Sequence, residues 1–278
     1  MRASGDPRLR RPSGRPEDFS VTARAGVAVF SPRGLPSGGN AERVKSHFAN
    51  GRVPQLKILA LETSTELCSI ALWLDGAIAA REAVAGQRHS ELLLPMIDAL
   101  LAEHRLRIGD LEGIGFGAGP GSFTGLRIAC GVAQGIALGA GLPVAPVATL
   151  LALAESSGAG RAVCCIDARM GEIYHAAYEK RDGEWSVVHR PALCRPDAAP
   201  ALPAGAWSGC GSGFAAHASV LGRRYGAQLE SVKADLVPHA REVAMLAAAE
   251  LQRGNGVAAE LAAPLYVRDK VALRVDER

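Results

Sequence analysis

Leu56-Lys57-Ile58-Leu59-Ala60-Leu61 is a short, nearly continuous apolar run, the pattern of a strand buried on both faces. Polar Glu62 to Glu66 predicts a turn, and Leu67 to Leu74 a second strand. Asp75-Gly76 is a hairpin signal, and Ala77 to Ala85 follows as a third strand. The spacing then becomes helical. Gln87-Arg88-His89-Ser90-Glu91 opens a helix with Ser90 as the expected N-cap. Its apolar stripe is Leu93, Leu94, Ile97, Leu100 and Leu101. Leu92 and Met96 widen that stripe enough for deep burial or for a partner subunit.

Ile114-Gly115-Phe116 predicts a buried strand, residues 117–127 a glycine loop, and Ile128 to Ala140 a helix. Pro143 to Val147 and Thr149 to Glu155 continue as strand and helix. A second unit starts near Arg161. It comprises Ala162 to Ile166, a turn at Asp167 to Gly171, alternating Glu172 to Glu179, an Asp182-Gly183 hairpin and Trp185 to Val188. The repetition of strand, turn, strand, turn, strand predicts two related halves, the second degenerate. Pro191 to Gly205 reads as a loop and Trp207 to Cys210 as a short strand before Gly211-Ser212-Gly213. Pro238 to Glu242 opens a helix to about Arg253, and Ala263 to Arg268 closes the body.

The charge is unevenly distributed. Residues 1–56 hold 10 of the 31 Lys and Arg and 4 of the 28 Asp and Glu, so the rest of the chain has 21 basic against 24 acidic residues. The basic excess belongs to the first segment, and the body offers no global electrostatic reason to bind nucleic acid. That segment is rich in Arg, Pro and Gly without a period of 3.6 or 2, which predicts disorder. It lacks the regions of a signal peptide and faintly suggests a transit peptide. Val53 would also suit an alternative start. Six cysteines show no CxxC spacing, and most lie within apolar runs. They are expected as buried thiols of a reducing cytoplasm, with no disulfide framework and no metal site. No apolar run is expected to approach the ~20 residues of a membrane span.

The 117–127 stretch holds the candidate chemistry. A strand, a loop of four glycines and a helix point backbone N–H groups and a helix dipole at an anion. The loop lacks the Gly-Lys-Ser/Thr of a Walker A motif and the dinucleotide register of GxGxxG. A tight turn that binds nothing fits equally well. Ser122 and Thr124 have no nearby base to activate them, so capping is the expected role. His89 and Glu91 read as helix-start residues. Arg127 fits a phosphate clamp or an ion pair equally. Asp167 and Arg169 read as an ion pair shaping their turn. Gly131, Gly135 and Gly139 alternate with Ala129, Ala133 and Ala137, which predicts a small helix face approached closely by another helix. Each glycine costs about 1 kcal/mol against alanine in a helix, so something should offset it.

Four stretches together resemble the TsaB (YeaZ) family: Ile58 to Ser64, Arg88 to Pro95, the 115–127 loop and Pro264-Leu265-Tyr266-Val267-Arg268. The resemblance covers about 57–278 and implies an α/β fold of the actin and sugar-kinase (ASKHA) type in two duplicated halves. The implied division is a disordered extension at 1–56, a first subdomain at 57–158 and a second at 159–278, with the C-terminal helix packing back on the first. It implies a degenerate phosphate or nucleotide loop formed by Glu62, Thr63, Ser64, Gly119, Gly121 and Ser122, with Glu62 where active relatives carry Asp. It also implies a partner, TsaD, met through the helices at 90–104 and 125–140, with Leu93, Ile97, Leu100, Gly131, Gly135 and Gly139 as interface residues. TsaD carries a His-x-x-x-His metal motif in the helix equivalent to Ala148 to Glu155, which here has no His, Cys or Asp.

The implied function is that of a catalytically silent cytoplasmic subunit with no cofactor of its own. With TsaD and the ATPase TsaE it would serve an ATP-using complex that transfers a threonylcarbamoyl group to adenosine in the anticodon loop of tRNA. It would meet tRNA only through that complex and would not engage a membrane. A homodimer is the alternative assembly when TsaD is missing. The competing readings are a metallopeptidase-like enzyme of the glycoprotease type and a small-molecule kinase relative.

Overall fold

The computed structural model describes residues 56–268. The 1–55 part of the basic extension and residues 269–278 lie outside the described residues. Two five-stranded mixed sheets carry the α/β architecture. The first contains β1 (Lys57–Glu62), β2 (Leu67–Leu74), β3 (Ala77–Val84), β4 (Gly113–Gly119) and β5 (Val144–Ala148), in the order β3-β2-β1-β4-β5. β1 to β3 form an antiparallel meander, and β4 and β5 add in parallel. The second contains β6 (Arg161–Asp167), β7 (Ile173–Arg181), β8 (Glu184–Cys194), β9 (Trp207–Cys210) and β10 (Leu229–Lys233), in the order β10-β9-β6-β7-β8. Here too a meander comes first and two parallel strands follow. Both meanders turn on an Asp-Gly pair with positive φ at each residue: 52° and 96° at Asp75-Gly76, 52° and 81° at Asp182-Gly183. This is the geometry that matches the twist of a two-residue hairpin.

Six helices complete the described fold: α1 (His89–Glu103), α2 (Phe123–Ala140), α3 (Thr149–Ser157), α4 (Gly213–Ala216), α5 (Ala218–Tyr225) and α6 (Ala240–Gln252). α1 and α2 cover one face of the first sheet, and α4 and α5 flank the outer side of the second. α3 follows β5 of the first sheet but packs on β6 and β7 of the second. α6 follows the second sheet and packs back on β1, β2 and β4 of the first. Both helices therefore lie between the sheets. Their apolar residues, including Leu150, Leu153, Val243 and Ala247, join Ile58, Ala60, Cys164 and Tyr178 in one central core. This explains the unbroken apolar run in β1, whose Ile58 faces that core while Leu59 faces the core under α1 and α2.

Several boundaries differ from the sequence reading. The N-cap of α1 is Arg88, with no side-chain cap bond, and Ser90 lies inside the helix. α2 starts at Phe123, so residues 123–127 form its first turns. β8 runs on to Cys194, into the first four residues of the stretch expected as a loop. Pro191 is tolerated because β8 is an edge strand, where a missing N–H breaks no central ladder. α4, α5 and β10 were not anticipated. α4 and α5 are short, with Phe214, Leu221 and Tyr225 as their buried large side chains, and β10 is an edge strand with four exposed residues in five. α2 has 18 residues and a mean hydropathy of 1.3, long and apolar enough to cross a membrane by length and composition alone, contrary to the expectation. A core helix passes the same test, and Ala129, Ala133 and Ala137 of α2 are buried beneath it in the first sheet's core.

Candidate functional site

β4 delivers the glycine loop to the N-terminus of α2, beside the β1–β2 turn. Gly119 has φ 113°, and a Cβ there would meet Leu126 Cδ1 at 2.8 Å and Leu265 O at 2.9 Å. A Cβ on Gly121 would meet Ser64 Cβ at 2.6 Å and Ser64 O at 2.7 Å. Cβ atoms on Gly117 and Gly125 would overlap the Glu62 carboxylate and the Thr63 carbonyl. Gly117, Gly121 and Gly125 are thus needed because the chain's own β1–β2 turn is packed into the loop, and Gly119 because Leu126 and Leu265 close on it.

Hydrogen bonds close the two segments together. Ser122 N–H donates to Ser64 O at 2.8 Å, and Thr63 Oγ1 donates to Gly125 O at 2.7 Å. Ser122 caps α2 by accepting from Gly125 N–H at 3.3 Å, and Gly119 N–H donates to Thr149 Oγ1 at 3.0 Å. These donors, which could have faced an anion, are satisfied inside the chain. The structure therefore brings Glu62, Thr63, Ser64, Gly119, Gly121 and Ser122 together, as a joint between β1–β2 and α2.

Glu62 is the unusual group of this joint. It is fully buried, and its Oε1 accepts from Ser64 N–H at 2.6 Å while Oε2 has no partner among the described residues. Burial pushes its pKa up to about 7, against the hydrogen bonds from Ser64 and the nearby His239. His239 Nδ1 lies 2.7 Å from Glu82 Oε1, and Ser69 Oγ donates to the same oxygen at 3.0 Å. Glu242, in the first turn of α6, is also held above its ordinary value by burial. The neighbourhood is acidic and protonatable. Among the described residues no three His, Cys, Asp or Glu side chains converge as metal ligands would.

The predicted partner surface divides in two. Leu93, Ile97 and Leu100 are turned inward and buried in the core beneath the first sheet, so they are corrected from surface contacts to core residues. The stripe that a helix presents to its own sheet cannot also be offered outward. Leu94, placed in the same stripe by spacing, is instead 51% exposed. Gly131, Gly135 and Gly139 lie on the solvent-facing side of α2, and a Cβ on any of them would meet no atom of the described residues within 4 Å. Glycines and alanines do not share one small face, since Ala129, Ala133 and Ala137 face the sheet. Beside the glycines, Leu138 is 66% exposed.

Arg127 forms no ion pair among the described residues. Its Nε donates to Tyr266 Oη at 3.0 Å, and its guanidinium sits 3.8 Å over the Phe123 ring. His89 is buried. Asp167 and Arg169 do pair, at 3.4 Å. All six cysteines are free thiols, five of them buried. What sequence reasoning missed was the joint's cap from Thr149 and the acidic surroundings supplied by α6, both long-range contacts without a local pattern.

TsaB of Escherichia coli (strain K12), a tRNA threonylcarbamoyladenosine biosynthesis protein, is 37% identical over 225 residues, 78% of this chain and 96% of that protein. The chain belongs to the TsaB (YeaZ) family. TsaB of Haemophilus influenzae is 34% identical over 230 residues, 78% of this chain and 95% of that protein. The solved structure of YeaZ from Pseudomonas aeruginosa superposes with a TM-score of 0.68 at 37% identity, covering 76% of this chain and 99% of that chain. The broader family pattern described as TsaD: tRNA N6-adenosine threonylcarbamoyltransferase matches residues 83–274. That pattern and the TsaB relatives therefore overlap on the same fold.

Proposed function

We propose that this chain serves tRNA threonylcarbamoyladenosine biosynthesis as the non-catalytic partner of TsaD. The observation that carries the reading is the outer face of α2. Gly131, Gly135 and Gly139 cost helix stability, and no atom of the described residues uses the space they leave. A second helix packed there would use it. In this reading the outward face of α2 and the exposed Leu94 of α1 meet TsaD, and the same face supports a homodimer when TsaD is missing. TsaE docks on the resulting pair, ATP is used by the complex, and tRNA is met only through it. The setting is the cytoplasm.

The two sheets with one strand order support a duplicated ASKHA-type origin, divided at about residue 158, with the second half degenerate. The glycine loop is then a phosphate loop that has lost its ligand to the chain's own β1–β2 turn. The satisfied donors at Gly119, Ser122 and Gly125 support that silence.

The test is reconstitution with one component left out. The chain is combined with TsaD, TsaE, the threonylcarbamoyl-adenylate synthase, ATP, threonine, bicarbonate and unmodified tRNA, and modified adenosine is assayed. Product that requires the chain, with no turnover by the chain alone, is expected. Equal product without it sinks the reading and reopens the peptidase-like and kinase-like alternatives. Gly135→Leu is expected to stay folded yet no longer co-elute with TsaD.

A further inference from the structure

The β6–β7 turn holds three successive residues with positive φ: Arg169 at 64°, Met170 at 56° and Gly171 at 74°. For Arg169 and Met170 this is a conformation L side chains seldom adopt, and it persists where the surroundings over-determine it. Arg268 supplies such surroundings. Its side chain, 14% exposed, donates from Nη2 to Ala168 O at 2.9 Å and pairs with Glu172 Oε2 at 2.9 Å. Its Nη1 lies 3.7 Å from Met170 Sδ. One guanidinium thus touches both ends of the turn and its middle, as a planar fork of donors can.

The same segment is fastened to the other sheet. Leu265 N–H donates to Ala118 O of β4 at 2.7 Å, and Gln134 Nε2 of α2 donates to Ala262 O at 2.8 Å. Tyr266 Oη accepts from Arg127, and its ring lies 5.6 Å from that of Phe123. From Leu265 to Arg268 the chain spans at most about 10 Å when extended, so the tie leaves little play. α3 and α6 join the sheets through their shared core, whereas this segment joins them beside the glycine loop.

We propose that residues 262–268 are a latch between the two sheets, with Arg268 as its catch on the β6–β7 turn. Releasing the catch on the second sheet frees the strap from the first. Arg268 is a positioning residue in this device. The latch also ties α2, whose outer face bears the exposed glycines, to a turn of the other sheet, so the two move as one.

Amide hydrogen exchange on the full chain tests this. In Arg268→Ala, exchange should rise about tenfold at residues 168–172 and, decisively, at the Leu265 amide, whose own acceptor Ala118 is untouched. The Leu61 amide in β1 should stay unchanged. Spin labels at Asp98→Cys on α1 and Arg223→Cys on α5 should show a broadened distance distribution in the same variant. Arg268→Lys, which keeps the charge without the fork, should fall between. Loosening confined to 168–172, with Leu265 and the label distance unmoved, makes Arg268 a local turn clamp and overturns the latch. No change at either place overturns it as well. If Arg268→Ala does not fold, Glu172→Gln decides by the same readouts, with a smaller rise expected at Leu265.

Discussion

The β1–β2 and β6–β7 turns are built by the same local device and end in opposite environments. In each, a carboxylate at the end of the first meander strand accepts the backbone N–H two residues on: Glu62 from Ser64 at 2.6 Å, Asp167 from Arg169 at 3.1 Å. In each, a glycine segment cradles the hairpin. Gly117, Gly121 and Gly125 enclose the first turn, and Gly211 and Gly213 press on Cys165 just before the second. The first turn is sealed under α2, and its Glu62 forms no ion pair among the described residues. The second is open, and its Asp167 keeps Arg169 and His217 within 4 Å. At Glu62, local hydrogen bonding does not decide proton affinity. The water excluded by tertiary packing does.

The largest effect that would break the comparison lies in the cradles. Gly125→Ala drives a Cβ onto the Thr63 carbonyl, a backbone atom of a buried joint, and should cost about 3–5 kcal/mol. Gly213→Ala, whose Cβ would meet Cys165 Cβ at 2.8 Å and its backbone C at 2.9 Å, should cost less. Urea unfolding of both variants checks the order. A mild Gly125→Ala would mean the first joint is loose.

Next comes pH. Glu62 has its folded pKa raised from 4.5 to about 7, so the folded chain holds the extra proton between those values. Its contribution is full below about pH 4.5 and is lost as pH rises to 7. His175, buried against Tyr225, is lowered from 6.5 to about 4, and its contribution is full above 6.5 and lost as pH falls. The two slopes oppose each other between pH 4.5 and 6.5, each up to about 1.4 kcal/mol per pH unit. Glu62→Gln should therefore make stability rise with pH across that window, and His175→Gln should make it fall. Melting temperatures in a pH series decide it. A Glu62→Gln profile parallel to the parent would remove Glu62 from the account.

A smaller contrast lies along α2. Gly135→Ala adds a Cβ in open space and should stabilise the free chain by about 0.5–1 kcal/mol. Destabilisation there would mean that the glycine already serves this chain. Smallest is Arg169→Ala, which removes a pair whose Arg side chain is 82% exposed and should shift stability by less than about 0.5 kcal/mol. A larger loss would show that the open turn depends on that pair.

Most of the strands and the longer helices were legible in the chain. The two Asp-Gly hairpins, the apolar β1 run and the α1 stripe each rest on local chemistry or a short period. The elements that escaped, α4, α5 and β10, are four, eight and five residues long, too short for a period to repeat more than about twice. At the joint, the residues were legible but the reason for the glycines was not. An anion and a second backbone segment impose the same demand for space. The α2 face shows a similar ambiguity, because glycines and alanines at alternate spacings look like one small surface until the helix is placed on its sheet.

The sequence alone determined which segments become strands and helices, that the meander recurs, and that the chain is a TsaB relative. These follow from periodicity, turn residues and motif identity, which are properties of neighbours along the chain. Tertiary structure alone decided that α3 and α6 exchange sheets and that the glycine loop is filled by the β1–β2 turn. It also decided that Leu93, Ile97 and Leu100 face inward while the α2 glycines face out, and that Glu62 holds its proton near neutrality. Each of these depends on which distant atoms exclude water from a group or occupy the space beside it, and no local pattern encodes that.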